Sequence, residues 1–192
     1  MAVTLREAPA LLVAALLLLA LARAALAAEF DAAASRVGFV LSTRWGQDLE
    51  GRFPTLQGRI DELGHDQRRV RLVLFTGDVE IVGHPGYTRF TRGRAFFDAE
   101  RWPQVEFLSD AYTPRLLQDG GKLGGTLRMR GVQHRQVFDV LPAACDAPGR
   151  DCDVVATGVV ERADYGMGRW TIALDDAVRF TLRMRLRAEP PA

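Results

Sequence analysis

The chain has 192 residues, which suits a single domain once a leader is set aside. Its 25 basic residues stand against 24 acidic ones, so no cationic excess argues for nucleic acid as a partner. Arg6, Glu7 and Arg23 belong to the leader, and the remainder is close to electrically balanced.

The first element reads as a processing signal. Arg6 supplies an n-region charge, partly offset by Glu7; residues 10–22 are nearly all Leu, Ala and Val; and Ala25-Leu26-Ala27 fits the small-x-small cleavage pattern. The apolar run falls short of the roughly 20 residues a membrane-spanning helix needs. Arg23 at its flank leaves an uncleaved anchor as the alternative. No Cys lies near the cleavage region, which argues against a lipidated N-terminus. The expectation is a cleaved signal peptide over residues 1–27 and one exported domain over residues 28–192.

From there the chain reads as short alternating runs between Gly, Pro and Asp turns. Side chains on a strand point to opposite faces with period two. Val37, Phe39 and Leu41 share one face, with Gly38, Val40 and Ser42 opposite. Residues 51–62 make a long strand that Gly51, Pro54 and Gly58 allow to bend or bulge. Val70, Leu72 and Leu74 alternate with Arg69, Arg71 and Val73. Residues 85–98, carrying Tyr87, Phe90, Phe96 and Phe97, interrupt the strands as a short helix or an ordered crossing segment. Asp98 is expected to cap the turn Ala99-Glu100-Arg101 through its side-chain oxygen.

Further on, Val105 and Phe107 alternate with Glu106 and Leu108, and Leu123, Gly125, Leu127 and Met129 with Gly124, Thr126, Arg128 and Arg130. Phe138 and Val140 oppose Asp139 and Leu141, while residues 154–160 are apolar on both faces. Residues 164–176 are turn-rich and read as a long hairpin connection. Over residues 178–187 one face is Val, Phe, Leu, Met, Leu and the other Arg, Thr, Arg, Arg, Arg, the pattern of a sheet oily on one side and wet on the other. Roughly eight such strands suggest a sandwich or a closed barrel, and the barrel is favoured because it abolishes edges and can hold a ligand. The expected fold is an all-β antiparallel eight-stranded β-barrel with a short helical segment near residues 85–98.

Cys145 and Cys152, the chain's two cysteines, would meet an oxidising compartment after export and pair as a disulfide. The six residues between them read as a hairpin tip, so the bond is expected to staple neighbouring strands, worth about 2 kcal/mol on the loop-length relation. His65, His84 and His134 show no metal spacing, and no nucleophile elbow, P-loop or dinucleotide fingerprint occurs. Paired acids such as Asp48/Glu50, Asp98/Glu100 and Asp175/Asp176 are not placed across a cleft by anything in the sequence.

What remains is an apolar interior. Its expected lining is Val37, Phe39, Leu72, Phe107, Leu127, Phe138, Val140, Phe180, Leu182 and Met184, joined by Phe90, Phe96 and Phe97 from the crossing segment. Gly125 and Gly158 lie on the same faces and are expected to make room, and no ionisable group is expected there.

Several of these residues form a recognisable pattern. Phe30-Asp31 with residues 35–39, Ser-Arg-Val-Gly-Phe, resembles the opening strand pair of the YceI-like family of periplasmic lipid/polyisoprenoid-binding proteins. Gly51-Arg52-Phe53 with Gly58-Arg59-Ile60 is similar to that family's G-x-F…G-x-I strand. Residues 96–107 resemble its F-F-D-x-x-x-[YW]-P-x-[IV]-x-F stretch, residues 125–132 its G-x-L-x-[ILM]-[RKH]-G-[VI] strand and turn, and residues 162–166 its Arg-x-[DE]-[FY]-G turn. Many members carry His-Leu shortly before the F-F-D block, where this chain has Phe90-Thr91. The two cysteines are not a general family feature.

The resemblance implies a lipocalin-like barrel in the periplasm whose pore holds a long isoprenoid or similar amphiphile. The expected function is therefore that of a non-enzymatic carrier or sequestering protein for an isoprenoid-type lipid or quinone, with no cofactor beyond that guest. Arg92, Arg94 and His134 are the candidates for a phosphate head group at the mouth, since arginine matches phosphate oxygens bidentately. The alternatives are a lipocalin-like enzyme acting on a bound lipid and a stress-related module for a membrane redox partner. An inner-membrane partner and a homodimer stay open.

Overall fold

The computed structural model describes residues 27–188; the expected leader lies outside the described residues except for Ala27. Alternating burial runs the length of most extended segments, with every second residue buried in Arg36–Thr43, Asp48–Phe53 and Gln104–Ser109. In chain order the strands are β1 (Ala28–Glu29), β2 (Arg36–Thr43), β3 (Asp48–Phe53), β4 (Leu56–Gly64), β5 (Gln67–Phe75), β6 (Glu80–Ile81), β7 (Gln104–Ser109), β8 (Gly121–Met129), β9 (Val132–Val140), β10 (Val154–Glu161) and β11 (Leu174–Met184). Two helices join them, α1 (Pro85–Arg92) and α2 (Arg115–Asp119); the second carries no signal read above.

The eleven segments form one antiparallel sheet in the order β1-β4-β5-β7-β8-β9-β10-β11-β2-β3-β6. Three of the breaks are interruptions within a longer strand. The pairs β1/β2, β3/β4 and β5/β6 each continue along the same neighbour, separated by residues 30–35, by Pro54-Thr55 and by a 3-10 turn at Thr76–Asp78. Proline cannot donate to a ladder, so the second strand bends at Pro54. Counted this way there are eight strands, in agreement with the sequence pattern. The ring shuts at β1: Phe30 N donates to Gly58 O on β4, while Asp31 N donates to Arg185 O and Arg187 N to Glu29 O beyond β11, bridging Phe30 to Leu186.

The wall is uneven. β8 and β9 pair over nine residues and β10 and β11 over eight, but β9 and β10 pair only at Ala156↔Val140 and Thr157↔Asp139. Where they part, the Gln136 side-chain amide donates to Val159 O at 2.7 Å, and the ring of Tyr165 packs edge-on against His134 at 5.3 Å. Tyr165 belongs to a short 3-10 turn, Ala163–Tyr165, that lies over this seam.

Helix α1 begins at Pro85, whose fixed φ and missing N–H suit the first turn, and stops at Gly93. The Thr88 hydroxyl accepts from Ile81 N at 2.8 Å and so ties the helix to β6. Asp98 does not cap the next turn with its side chain. It sits at φ 49°, and its backbone carbonyl is what accepts from Arg101 N and Trp102 N, at 3.0 and 2.8 Å. The Cys145–Cys152 disulfide is present, but both cysteines lie within the loop joining β9 to β10, so the bond closes that loop instead of linking strands.

A candidate ligand-binding interior

Three contiguous compartments run along the barrel axis. The upper one has a volume of about 330 Å³, the middle about 30 Å³ and the lower about 90 Å³. All thirteen residues expected to line the pore face one of them. Phe39, Phe90 and Phe96 line the upper chamber, Val37 and Leu127 the middle, and Val140 and Met184 the lower. Phe97 and Phe180 stand between upper and middle; Leu72, Phe107, Phe138 and Leu182 stand between middle and lower.

The interior is therefore not the open tunnel the alternation suggested. Phe39 lies 5.8 Å from Phe53 and 5.6 Å from Phe180, and Phe53 lies 5.6 Å from Phe97, ring centroid to centroid. Phe107 and Phe138 meet edge-on at 5.1 Å. These tilted contacts are the arrangement aromatic quadrupoles favour. Glycines make the room, as expected, but rings fill it. A Cβ on Gly125 would sit 2.5 Å from the Phe107 ring, on Gly158 2.6 Å from Phe138, and on Gly51 2.0 Å from Phe39.

The upper chamber is walled by apolar side chains from β2, β3, β10 and β11 and roofed by three connections. Trp45 comes from the β2–β3 hairpin, Tyr87 and Phe90 from α1, and Met167 and Trp170 from the β10–β11 connection. Phe90 meets Trp170 edge-on at 5.6 Å, so two of the roofing pieces touch across the mouth.

The expectation that no ionisable group faces the interior is corrected by Arg68 and Tyr112 in the lower compartment and, in the upper chamber, by Arg162. Arg162 lines the upper chamber and is only 3% exposed. Its Nη1 donates to Met167 O at 2.7 Å and its Nε to Asp175 O at 2.9 Å, with longer bonds to Arg169 O and Leu174 O. The guanidinium lies 5.8 Å from the centre of the Phe96 ring. Burial pulls its pKa below the ordinary arginine value, while Asp176 and Asp175 pull it back up. Its position was readable: Val160 faces inward, and two residues on, Arg162 must share that face.

The head-group candidates lie elsewhere. Arg92 is half-buried and donates through Nε to Val79 O at 2.9 Å. Arg94 is exposed, and His134 covers the β9–β10 seam. None of the three lines a compartment: the bond to Val79 O holds Arg92 at the end of α1, Arg94 follows the helix into solvent, and His134 sits at the splayed seam.

Comparison with known proteins agrees with this geometry. The family model described as YceI-like domain matches residues 29–186. No match is found among curated proteins. The chain is similar in fold to Burkholderia cenocepacia BcnA, at 20% identity and a TM-score of 0.67, over 83% of this chain and 99% of that one. It is also similar to a polyisoprenoid binding domain from Saccharophagus degradans implicated in plant cell wall breakdown, at 18% identity and a TM-score of 0.64, over 84% and 98%. The Campylobacter jejuni YCEI protein shares 20% identity and a TM-score of 0.58, over 72% and 85%.

Proposed function

We propose that this chain, which belongs to the YceI-like family on its match over residues 29–186, binds the apolar tail of an isoprenoid-type lipid or quinone and acts in the periplasm as a carrier or sequestering protein. The observation that carries this reading is the upper chamber. Its volume of about 330 Å³ falls within the range of about 300–1,000 Å³ common for small-molecule sites. A fold neighbour from Saccharophagus degradans is a polyisoprenoid binding domain, which supports a lipid as the class of guest.

Each methylene withdrawn from water contributes ~0.8 kcal/mol, so a few isoprene units give useful affinity. Such a wall discriminates poorly between neighbouring chain lengths. A tail longer than the upper chamber has to turn Phe97 and Phe180 aside, then Phe107 and Phe138. Binding is favoured over catalysis because Arg162, the charged side chain in this chamber, already directs its donors to four carbonyls.

The test is native mass spectrometry and lipid extraction on protein purified from its own periplasm, beside a Leu41→Trp variant. Leu41 lines the upper chamber, and an indole there occupies the guest's volume. The expected result is a long-chain species on the parent protein and its loss from the folded variant. A parent protein without any apolar guest, or equal loading of both, overturns the proposal.

A further inference from the structure

The rim of the upper chamber has a chemistry that a soluble guest does not require. Trp45, Tyr87, Phe90 and Trp170 are 69%, 51%, 43% and 53% exposed and come from three separate connections that converge on one opening, and Ile172, two residues after Trp170, is 93% exposed. Large apolar side chains held in water around a single mouth are the sign of an interaction surface. Tryptophan and tyrosine, with an apolar body and a polar edge, are the residues that settle at a membrane–water boundary.

Charge is sorted along the same axis. The four connections at this end, residues 44–47, 82–103, 130–131 and 162–173, carry seven arginines besides the buried Arg162, against Asp98, Glu100 and Asp164 within them and Glu161, Asp175 and Asp176 on the adjoining strand ends. The three at the other end, residues 65–66, 110–120 and 141–153, carry six aspartates against Arg115 and Arg150. Among the described residues, Arg89, Arg94, Arg101, Arg130 and Arg169 pair with no carboxylate, and Arg44 shares Asp175 at 3.4 Å. At the far end Asp110 and Asp153 are met by Arg135 and Arg185, each at 2.6 Å, which softens the contrast without reversing it. The arginines without a carboxylate partner thus share this end with the exposed aromatic side chains.

We propose that this mouth docks on an anionic phospholipid bilayer, seating the aromatic rim in the interface with the arginines among the lipid phosphates. Docking in this pose sets the chamber opening against the phase that holds long apolar chains. It goes beyond the carrier reading and is measured without reference to the guest. A second copy is the poorer occupant, because two mouths meeting would set arginines against arginines.

The experiment is co-sedimentation of residues 28–192 with mixed phosphatidylcholine–phosphatidylglycerol vesicles, with pure phosphatidylcholine for comparison, followed by tryptophan quenching with brominated acyl chains. Binding to the anionic vesicles is expected to weaken with salt, since exposed charges are screened over about 10 Å at 0.1 M. Trp45 and Trp170 emission is expected to be quenched. An arginine near such a surface is worth ~1 kcal/mol, about fivefold in partition. The pair Arg89→Gln and Arg169→Gln is therefore expected to weaken partition about 25-fold, and Asp66→Asn with Asp119→Asn to leave it unchanged.

Equal partition to both vesicle types, absence of quenching, or indifference to the arginine pair overturns the proposal. So does a parent protein that ignores vesicles while rim variants change its mass in solution, which would make the rim a protein interface. Lipid content of the same samples is read separately: a protein that docks yet carries no chain upholds docking and refutes the carrier reading.

Discussion

Replacing Arg162 with methionine tests how the roof of the upper chamber is held. Methionine keeps the length and apolar stem of the side chain and removes every donor. The two short bonds, to Met167 O at 2.7 Å and Asp175 O at 2.9 Å, are charge-assisted and worth ~1.5–3 kcal/mol each. The longer bonds to Arg169 O and Leu174 O add less. Against this stands the relief of no longer burying a guanidinium, which offsets part of the loss. A net destabilisation of about 3 kcal/mol is expected, and for a domain of this size about 6–12 °C in Tm. Urea and thermal melts at neutral pH measure the global change. Amide exchange across residues 167–175 measures the local one, because the four carbonyls that lose a partner lie in that stretch, which runs from the connection into the start of β11. If Arg162→Met costs less than about 1 kcal/mol and leaves exchange in residues 167–175 unchanged, those carbonyls do not depend on the guanidinium and the argument is wrong.

Three further outcomes follow from packing and titration. Gly125→Ala pushes a Cβ to 2.5 Å from Phe107 and 2.6 Å from the Leu108 carbonyl, so its urea midpoint is expected to drop by the equivalent of about 1–3 kcal/mol. Gly77→Ala, where a Cβ meets nothing within 4 Å, is expected to be neutral or slightly stabilising; equal losses at the two sites would contradict the ring-on-glycine packing. Burial pushes the phenols of Tyr112 and Tyr165 up to about 12, from 10.0. The folded chain then holds those protons more tightly than the unfolded one, so stability is complete below pH 10 and declines as pH climbs towards 12. Tyr112→Phe with Tyr165→Phe is expected to flatten that limb in melts across this window, and an unaltered slope excludes these phenols as its origin. Breaking the disulfide with Cys145→Ala and Cys152→Ala is expected to cost about 2 kcal/mol while leaving upper-chamber binding intact, as read by lipid extraction after purification.

The strands were legible because one face of each is buried and period two admits a single inward set, as in Val37, Phe39 and Leu41 or Phe180, Leu182 and Met184. The eight-strand count was legible for the same reason, although β1/β2, β3/β4 and β5/β6 break into pieces. The pinching of the interior was not. Whether a phenylalanine opens a pore or closes it depends on the residue across the barrel, and contacts such as Phe138 on Gly158 join positions that share no local pattern. Arg162 is the opposite case. Alternation put it inward, but a charged residue at a strand end reads as a turn residue until its four carbonyl partners are in view. For the head-group candidates position near a mouth was legible but direction was not: Arg92 turns back to Val79 O at the end of α1, while Arg94, beyond the helix, points to solvent.

The two-rung contact between β9 and β10 makes the barrel resemble a book with a loose spine. Every other long pairing must shear several backbone bonds before it yields, whereas above Thr157 this one rests on side chains: an amide on Val159, a phenol ring on an imidazole and the Phe138 ring on Gly158. Along this one meridian the wall is therefore held by side chains instead of ladder bonds, and it is the least restrained stave of the barrel.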